Sequence, residues 1–213
     1  MIRTDVEWLE WRRTGIGGSD AAAILGENPW KSNEDVWEEK VLGREFKINC
    51  MEAVEYGKAA ERPLIELFKL DYPQYEVEHG EYMTAQHPDH PFLIATLDGK
   101  LIDKQTGEKG VLEVKTANIL SSMSREKWKD QIPNNYYIQV LHYMMVTGFT
   151  FAILKAQLKS DFGDGEIALQ TKHYRINRRE VEADIAYLGA ELVKFWIDFV
   201  VPKKRPGRIL PRI

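Results

Sequence analysis

A chain of 213 residues with a 44% hydrophobic fraction can bury a sizeable core, as one domain or one domain with a small appendage. Its 29 basic and 33 acidic residues give a net charge of −4, which excludes a uniformly basic nucleic-acid coat protein but not a local basic groove. The single cysteine, Cys50, excludes a disulfide framework, a multi-cysteine zinc site and a cysteine-ligated iron–sulfur cluster. The N-terminal MIRTDVEWLEWRR is amphipathic without the apolar centre of a signal peptide. No apolar run approaches the roughly 18–20 residues of a membrane span, so a soluble, cytoplasmic protein is expected, with no membrane partner.

In chain order, Thr4 and Glu7 form a capping box for a first helix with Val6, Trp8 and Leu9 on its apolar side. Gly15 to Gly18 interrupts it, and Ser19 is expected to cap a short helix over 20–25 that Gly26 ends. Ser32 and Asp35 start another helix to about Leu42, and residues 53–70 read as helix with Pro63 as a kink or restart. The period then changes. Residues 75–83 alternate weakly, 92–97 is a short apolar run, and 110–116 reads as a strand after a polar turn over 103–110. Pro133 opens a helix stopped by Gly148; strands over 151–158 and 167–176 flank the turn at 161–165; a last helix runs from Arg178 to Val200. The basic tail, 203–213, is expected to be mobile. These elements predict one α/β (α+β) domain over 1–213, a mixed sheet flanked by helices.

The stretch richest in chemistry is Thr96-Leu97-Asp98-Gly99 followed by Leu112-Glu113-Val114-Lys115-Thr116. Residues two apart on a strand share a face, so Glu113 and Lys115 project together. Asp98, at the end of the preceding strand, would reach them by antiparallel pairing. Two carboxylates and an ammonium suit phosphodiester hydrolysis, the carboxylates holding one or two Mg²⁺ ions. Glu-x-Lys occurs three times, but Glu38/Lys40 lies on a helix and Glu45/Lys47 in a polar connection. The plain alternative is an exposed Glu–Lys pair on a surface strand, worth little. Arg12 and Arg13 precede the glycine loop at 15–18, where backbone amides and an arginine can meet an anion. A simple turn with a serine cap is the alternative there, and the Gly-Lys-Ser/Thr ending of a nucleotide P-loop is missing.

Together, Trp-x-x-x-Arg before Ile-Gly-Gly-Ser-Asp-Ala-Ala, Gly57-x-x-x-Glu61, Asp98, Glu113-x-Lys115 and Gln139 resemble the YqaJ family. These are phage-type recombination exonucleases similar to lambda exonuclease, within the PD-(D/E)XK superfamily. The resemblance runs from about Trp8 to Gly148. It implies a restriction-endonuclease-like core in which Asp98, Glu113 and the Val114 carbonyl ligate Mg²⁺ (or Mn²⁺) and Lys115 serves the attacking water. Glu61 would be a further acidic group and Gln139 a polar residue ordering the site. Arg12 and Ser19 would bind the terminal 5′-phosphate, with Arg13 as the substitute one position on. The resemblance further implies 5′→3′ digestion of duplex DNA ends to 3′ overhangs, a single-strand annealing protein as partner, a homotrimeric ring and a phage or prophage origin in a bacterial host. The Pro of the superfamily name is absent, since Ala95-Thr96 precede Leu97-Asp98.

Two other classes stay open at this level: an endonuclease on the same core, and a catalytically inactive DNA-binding or assembly protein. The intact Asp98, Glu113 and Lys115 argue against the second. His87 and His90 read as polar surface rather than a metal site. Trp30, Trp37 and Trp128 could stack on bases but read mainly as core or interface.

Overall fold

The protein is described from a computed structural model over residues 2–44, 51–163 and 166–209. Strand β5 (Lys109–Asn118) organises the fold because its residues are buried on both faces. Val111 and Glu113 turn to one side, Leu112 and Val114 to the other, and a strand covered on both faces belongs at the centre of a sheet. It lies between β4 (Gly99–Asp103), antiparallel to it, and β6 (Phe151–Asp161), parallel to it. β1 (Tyr75–Glu78) and β7 (Ile167–Asn177) complete the order β1-β4-β5-β6-β7. A separate two-stranded ribbon pairs β2 (Thr84–Gln86) with β3 (Ile94–Thr96).

One face of the sheet is covered by α4 (Met51–Asp71), whose Leu64, Ile65 and Phe68 meet Leu112, Val114, Phe151 and Ile153. The opposite face carries the larger core, from α2 (Gly18–Ile24), α3 (Asn33–Leu42), α6 (Asn134–Thr147) and α7 (Glu182–Phe195). α1 (Asp5–Arg13) contributes no buried residue, and α5 (Ser122–Glu126) is a single short turn on the crossover from β5 to β6. The mixed sheet between helical layers is the architecture expected. Among the described residues no helix is long and apolar enough to cross a membrane.

Several expectations are corrected. α2 is capped at Gly17, not Ser19: Asp20, three positions on, accepts from the Gly17 N–H at 3.1 Å, which leaves the Ser19 hydroxyl free for other work. α4 runs without a restart through Pro63. β4 had no counterpart in the sequence reading, and it is β4, not the strand before Asp98, that pairs with β5. α7 ends at Phe195 in a π turn, Trp196–Val200, after a 3₁₀ turn over Arg178–Glu180. The tail is docked as far as it is described. Arg205 meets Glu34 and Glu38 at 3.2 Å each, Pro206 is buried, and Asn33 bonds the Gly207 carbonyl and the Ile209 N–H at 2.8 Å each. Glu45/Lys47, Cys50 and the end of the tail lie outside the described residues.

Candidate active site

Glu113 and Lys115 stand on the α6 side of β5, with Lys115 Nζ 2.5 Å from Glu113 Oε1. Glu113 is 1% exposed, which removes the reading of an exposed surface pair. α6 covers the carboxylate with residues one turn apart: Gln139 Nε2 donates to Glu113 Oε1 at 2.7 Å and to the Tyr143 hydroxyl at 2.8 Å. The helix approaches this closely because Gly18 of α2 has no side chain; a Cβ there would come within 2.7 Å of Gln139 Cγ and Tyr143 Cε1.

Asp98 lies in the bend between β3 and β4, one residue past the last β4–β5 pair. Its Oδ2 accepts from the Val114 N–H at 2.8 Å. A strand residue presents its N–H and C=O to the same edge, so the Val114 carbonyl leaves β5 on the Asp98 side. Glu61 reaches the group from α4 and feels the charges of Asp98 and Lys115. The three carboxylates therefore arrive from a bend, a central strand and the helix on the other face.

Burial first, then Asp98 and more weakly Glu61, push the Glu113 carboxyl up to about 8 against the pull of Lys115. Glu61 is raised to about 7 by burial and then Asp98. Burial also raises Asp98, opposed by Lys115 and the Val114 N–H. Burial alone would lower Lys115, but Glu113 and Asp98 outweigh it and hold its ammonium charged. Meanwhile Glu113 Oε2 is a buried acceptor with no partner. A cluster of raised carboxyls around an orphaned oxygen lacks a positive charge, and a divalent cation fits that deficit. Among the described residues no group of three or more His, Cys, Asp or Glu closes into a ready-made cage. Mg²⁺ typically takes one or two carboxylates and keeps water, so two carboxylates and a carbonyl suit it better than zinc.

A cleft of about 290 Å³ opens on this group, lined by Arg12, Ser19, Glu61, Asp98, Gln139 and Tyr143 among others. At its other end Arg12 Nη2 donates to Ser19 Oγ at 3.1 Å while its guanidinium sits 4.9 Å from the Trp8 ring centre. Behind them Asp20, fully buried, holds Lys31 at 2.7 Å and Lys40 at 2.8 Å. Burial would raise Asp20, but Lys31, Lys40 and Arg12 hold it well below the usual carboxylate range. Arg13 is exposed and lines only a neighbouring recess, with Leu9, Glu39 and Arg44; Arg12 borders that recess too, but of the two it alone lines the cleft.

Tyr143 and the Asp20 network were missed in the sequence. Tyr143 could have been found from its place four residues after Gln139 on one helix face. His87 and His90 form a local turn in which His87 Nδ1 accepts the Asp89 and His90 N–H groups. Trp37 and Trp128 are buried, and Trp30 is exposed.

The profile of the YqaJ-like viral recombinase domain matches residues 7–150. A curated relative, the uncharacterized protein YqaJ of Bacillus subtilis (strain 168), is 34% identical over 207 residues, 94% of this chain; the chain spans 58% of that protein's length. Among solved structures, an alkaline exonuclease (LHK-Exo) from Laribacter hongkongensis superposes with TM-score 0.64 at 19% identity, covering 93% of this chain and 96% of the other. A phage-related exonuclease from Haemophilus somnus 129PT superposes with TM-score 0.59 at 14% identity, covering 89% and 96%. At these identities the likeness is one of fold, and it is the fold described above.

Proposed function

Because the chain belongs to the family of YqaJ-like viral recombinase domains, we propose that it is a Mg²⁺-dependent exonuclease that shortens one strand of linear duplex DNA from the 5′ end. The product would be a 3′ overhang, suited to a single-strand annealing protein. A ring of three copies in the bacterial cytoplasm belongs to the same proposal. The observation that carries it is one cleft lined both by the Arg12–Ser19 pair and by Glu61, Asp98 and Gln139, with the Glu113–Lys115 pair behind Gln139. Asp98, Glu113 and the Val114 carbonyl would hold the metal, which when bound would neutralise phosphate charge and acidify a water. Gln139 fixes the Glu113 carboxylate, leaving Oε2 open. Lys115, kept protonated by Glu113 and Asp98, sets a positive charge beside the attacked phosphate. Arg12 forms a charge-assisted contact with the terminal phosphate and Ser19 adds a hydroxyl donor.

The test is digestion of linear duplex DNA with Mg²⁺, comparing 5′-phosphorylated ends, unphosphorylated ends and a closed duplex circle. Loss of the phosphorylated linear substrate with the circle spared is expected, and Lys115→Ala should be slower by about 10²–10⁴-fold. Arg12→Ala should lower the preference for phosphorylated ends by about 10–100-fold, the equivalent of one charged hydrogen bond. A wild-type protein that cuts the circle makes it an endonuclease. One that cuts nothing makes it a binding module.

A further inference from the structure

α1 is held to the rest of the protein by polar side-chain contacts rather than by burial. Its C-terminal end is anchored: Arg12 bonds Ser19, and Lys40 Nζ donates to the Arg12 carbonyl at 2.8 Å. Gly15 follows, so close to the Phe92 carbonyl that a Cβ would lie 2.5 Å from that oxygen. The N-terminal end crosses to the β1–β2 connection, where Asp5 Oδ1 accepts from the Tyr82 hydroxyl at 2.5 Å and the Trp8 and Tyr82 rings lie 6.5 Å apart. Tyr82 holds φ +56°, in the left-handed region that a bulky residue adopts only under constraint. Gly80, Glu81 and Tyr82 line the same cleft as Trp8, Trp11 and Arg12.

We infer that the Tyr82–Asp5 contact is a latch that closes this end of the cleft to a continuing strand, so that cleavage depends on a free end. The inference rests on the reading of the cleft as a DNA-end site. A terminal phosphate has chain on one side only; an internal phosphate must have backbone both entering and leaving. The cleft, about 290 Å³, has the size of a small ligand site, and an internal nucleotide would need a second way out of it. With the latch shut, the way out between α1 and residues 80–82 is barred. The Tyr82 hydroxyl is pushed up to about 12 by its bond to Asp5, then by burial and the charges of Asp5, Glu81 and Glu7. Those charges also repel a phosphate passing there. Swinging α1 about its anchored end would also break the bond from Trp8 Nε1 to Thr96 Oγ1, 3.0 Å, but would take no fully buried residue out of the core.

The experiment compares a closed circular single strand with the same strand linear and 5′-phosphorylated, in the wild type, Tyr82→Phe and Asp5→Asn. Tyr82→Phe keeps the ring and removes the donor; Asp5→Asn keeps the shape and removes the charge. Cleavage of the circle relative to the linear strand should rise about tenfold in Tyr82→Phe, the equivalent of one charge-assisted hydrogen bond, and less in Asp5→Asn. The same ratio measured as binding, without metal, should rise in parallel. Variants that spare the circle as fully as the wild type overturn the latch, as does a wild type that takes circle and linear strand equally. If no protein hydrolyses either single strand, the binding ratio alone still decides the latch, while digestion of linear duplex DNA separately decides the nuclease reading.

Discussion

Glu113 combines three roles that compete: it is buried, it lies against Lys115, and it keeps one oxygen unpartnered. Its raised carboxyl makes stability depend on pH. Unfolded, Glu113 and Glu61 lose their protons near 4.5; folded, they keep them to about 8 and about 7. Between those values the folded state holds more protons, so stability falls as pH rises and levels off above about 8. His142, buried and lowered to about 4, acts in the opposite sense below 6.5, which leaves pH 6.5–8 as the window to read. The metal-free melting temperature should fall across that window, and Glu113→Gln should flatten the fall. Mg²⁺ should restore more stability at pH 8 than at 6.5, because its ligands must shed protons to bind it. A metal-free melting temperature that rises over the window sinks this account. So does a Mg²⁺ effect that is independent of pH.

At the scale of elements, the seven-residue helix α2 is short for its importance and is fixed by charge more than by length. Asp20 ties its first turn to the start of α3 through Lys31 and to the end of α3 through Lys40. Asp20→Ala would leave buried ammonium groups without that carboxylate, so a loss of about 3–5 kcal/mol is expected, read by denaturant unfolding. A change under 1 kcal/mol would mean the two lysines find water instead. The same elements show what a sequence can reveal. β5 and α6 were legible because their apolar residues recur at strand and helix spacing and because Pro133 and Gly148 mark the ends of α6. β4 was not, since Gly99-Lys100-Leu101-Ile102-Asp103 is short and half polar, and its strand character comes from pairing with β5 and β1. The cap at Gly17 was hidden because Ser19 is the stronger local candidate, although the resemblance already sets Ser19 with Arg12, and the fold joins them by a hydrogen bond. The resemblance prefers Arg12 to Arg13 by its spacing from Ser19; in the fold Arg12 lines both the cleft and the outer recess, and Arg13 only the recess.

At the scale of the whole molecule, the sheet carries a separate core on each side, and the candidate site lies where the two meet. The tail belongs to neither. Arg205, Asn33 and Pro206 fasten it to α3, far in sequence from the carboxylates. Truncation ahead of Lys203 should therefore cost about 1–3 kcal/mol in stability. The rate per folded molecule on linear DNA should stay the same. A large loss of rate without a loss of stability would show instead that Lys203, Lys204 and Arg208 hold the DNA backbone.

The central place of β5 also governs when the candidate site can first assemble. β6, its parallel neighbour, ends at Asp161, well after Glu113 and Lys115 in the order of synthesis. A nascent chain carrying both residues but not yet β6 has an open edge on the strand that bears them, and α6 has only half of its sheet to rest on. In the folded protein Leu154 of β6 pairs beside Glu113, so the backbone around that carboxylate is not complete until this neighbour is in place. On the proposed function, the site residues are translated early and assembled late, so truncated products of interrupted translation would carry Glu113 and Lys115 without the activity proposed for them.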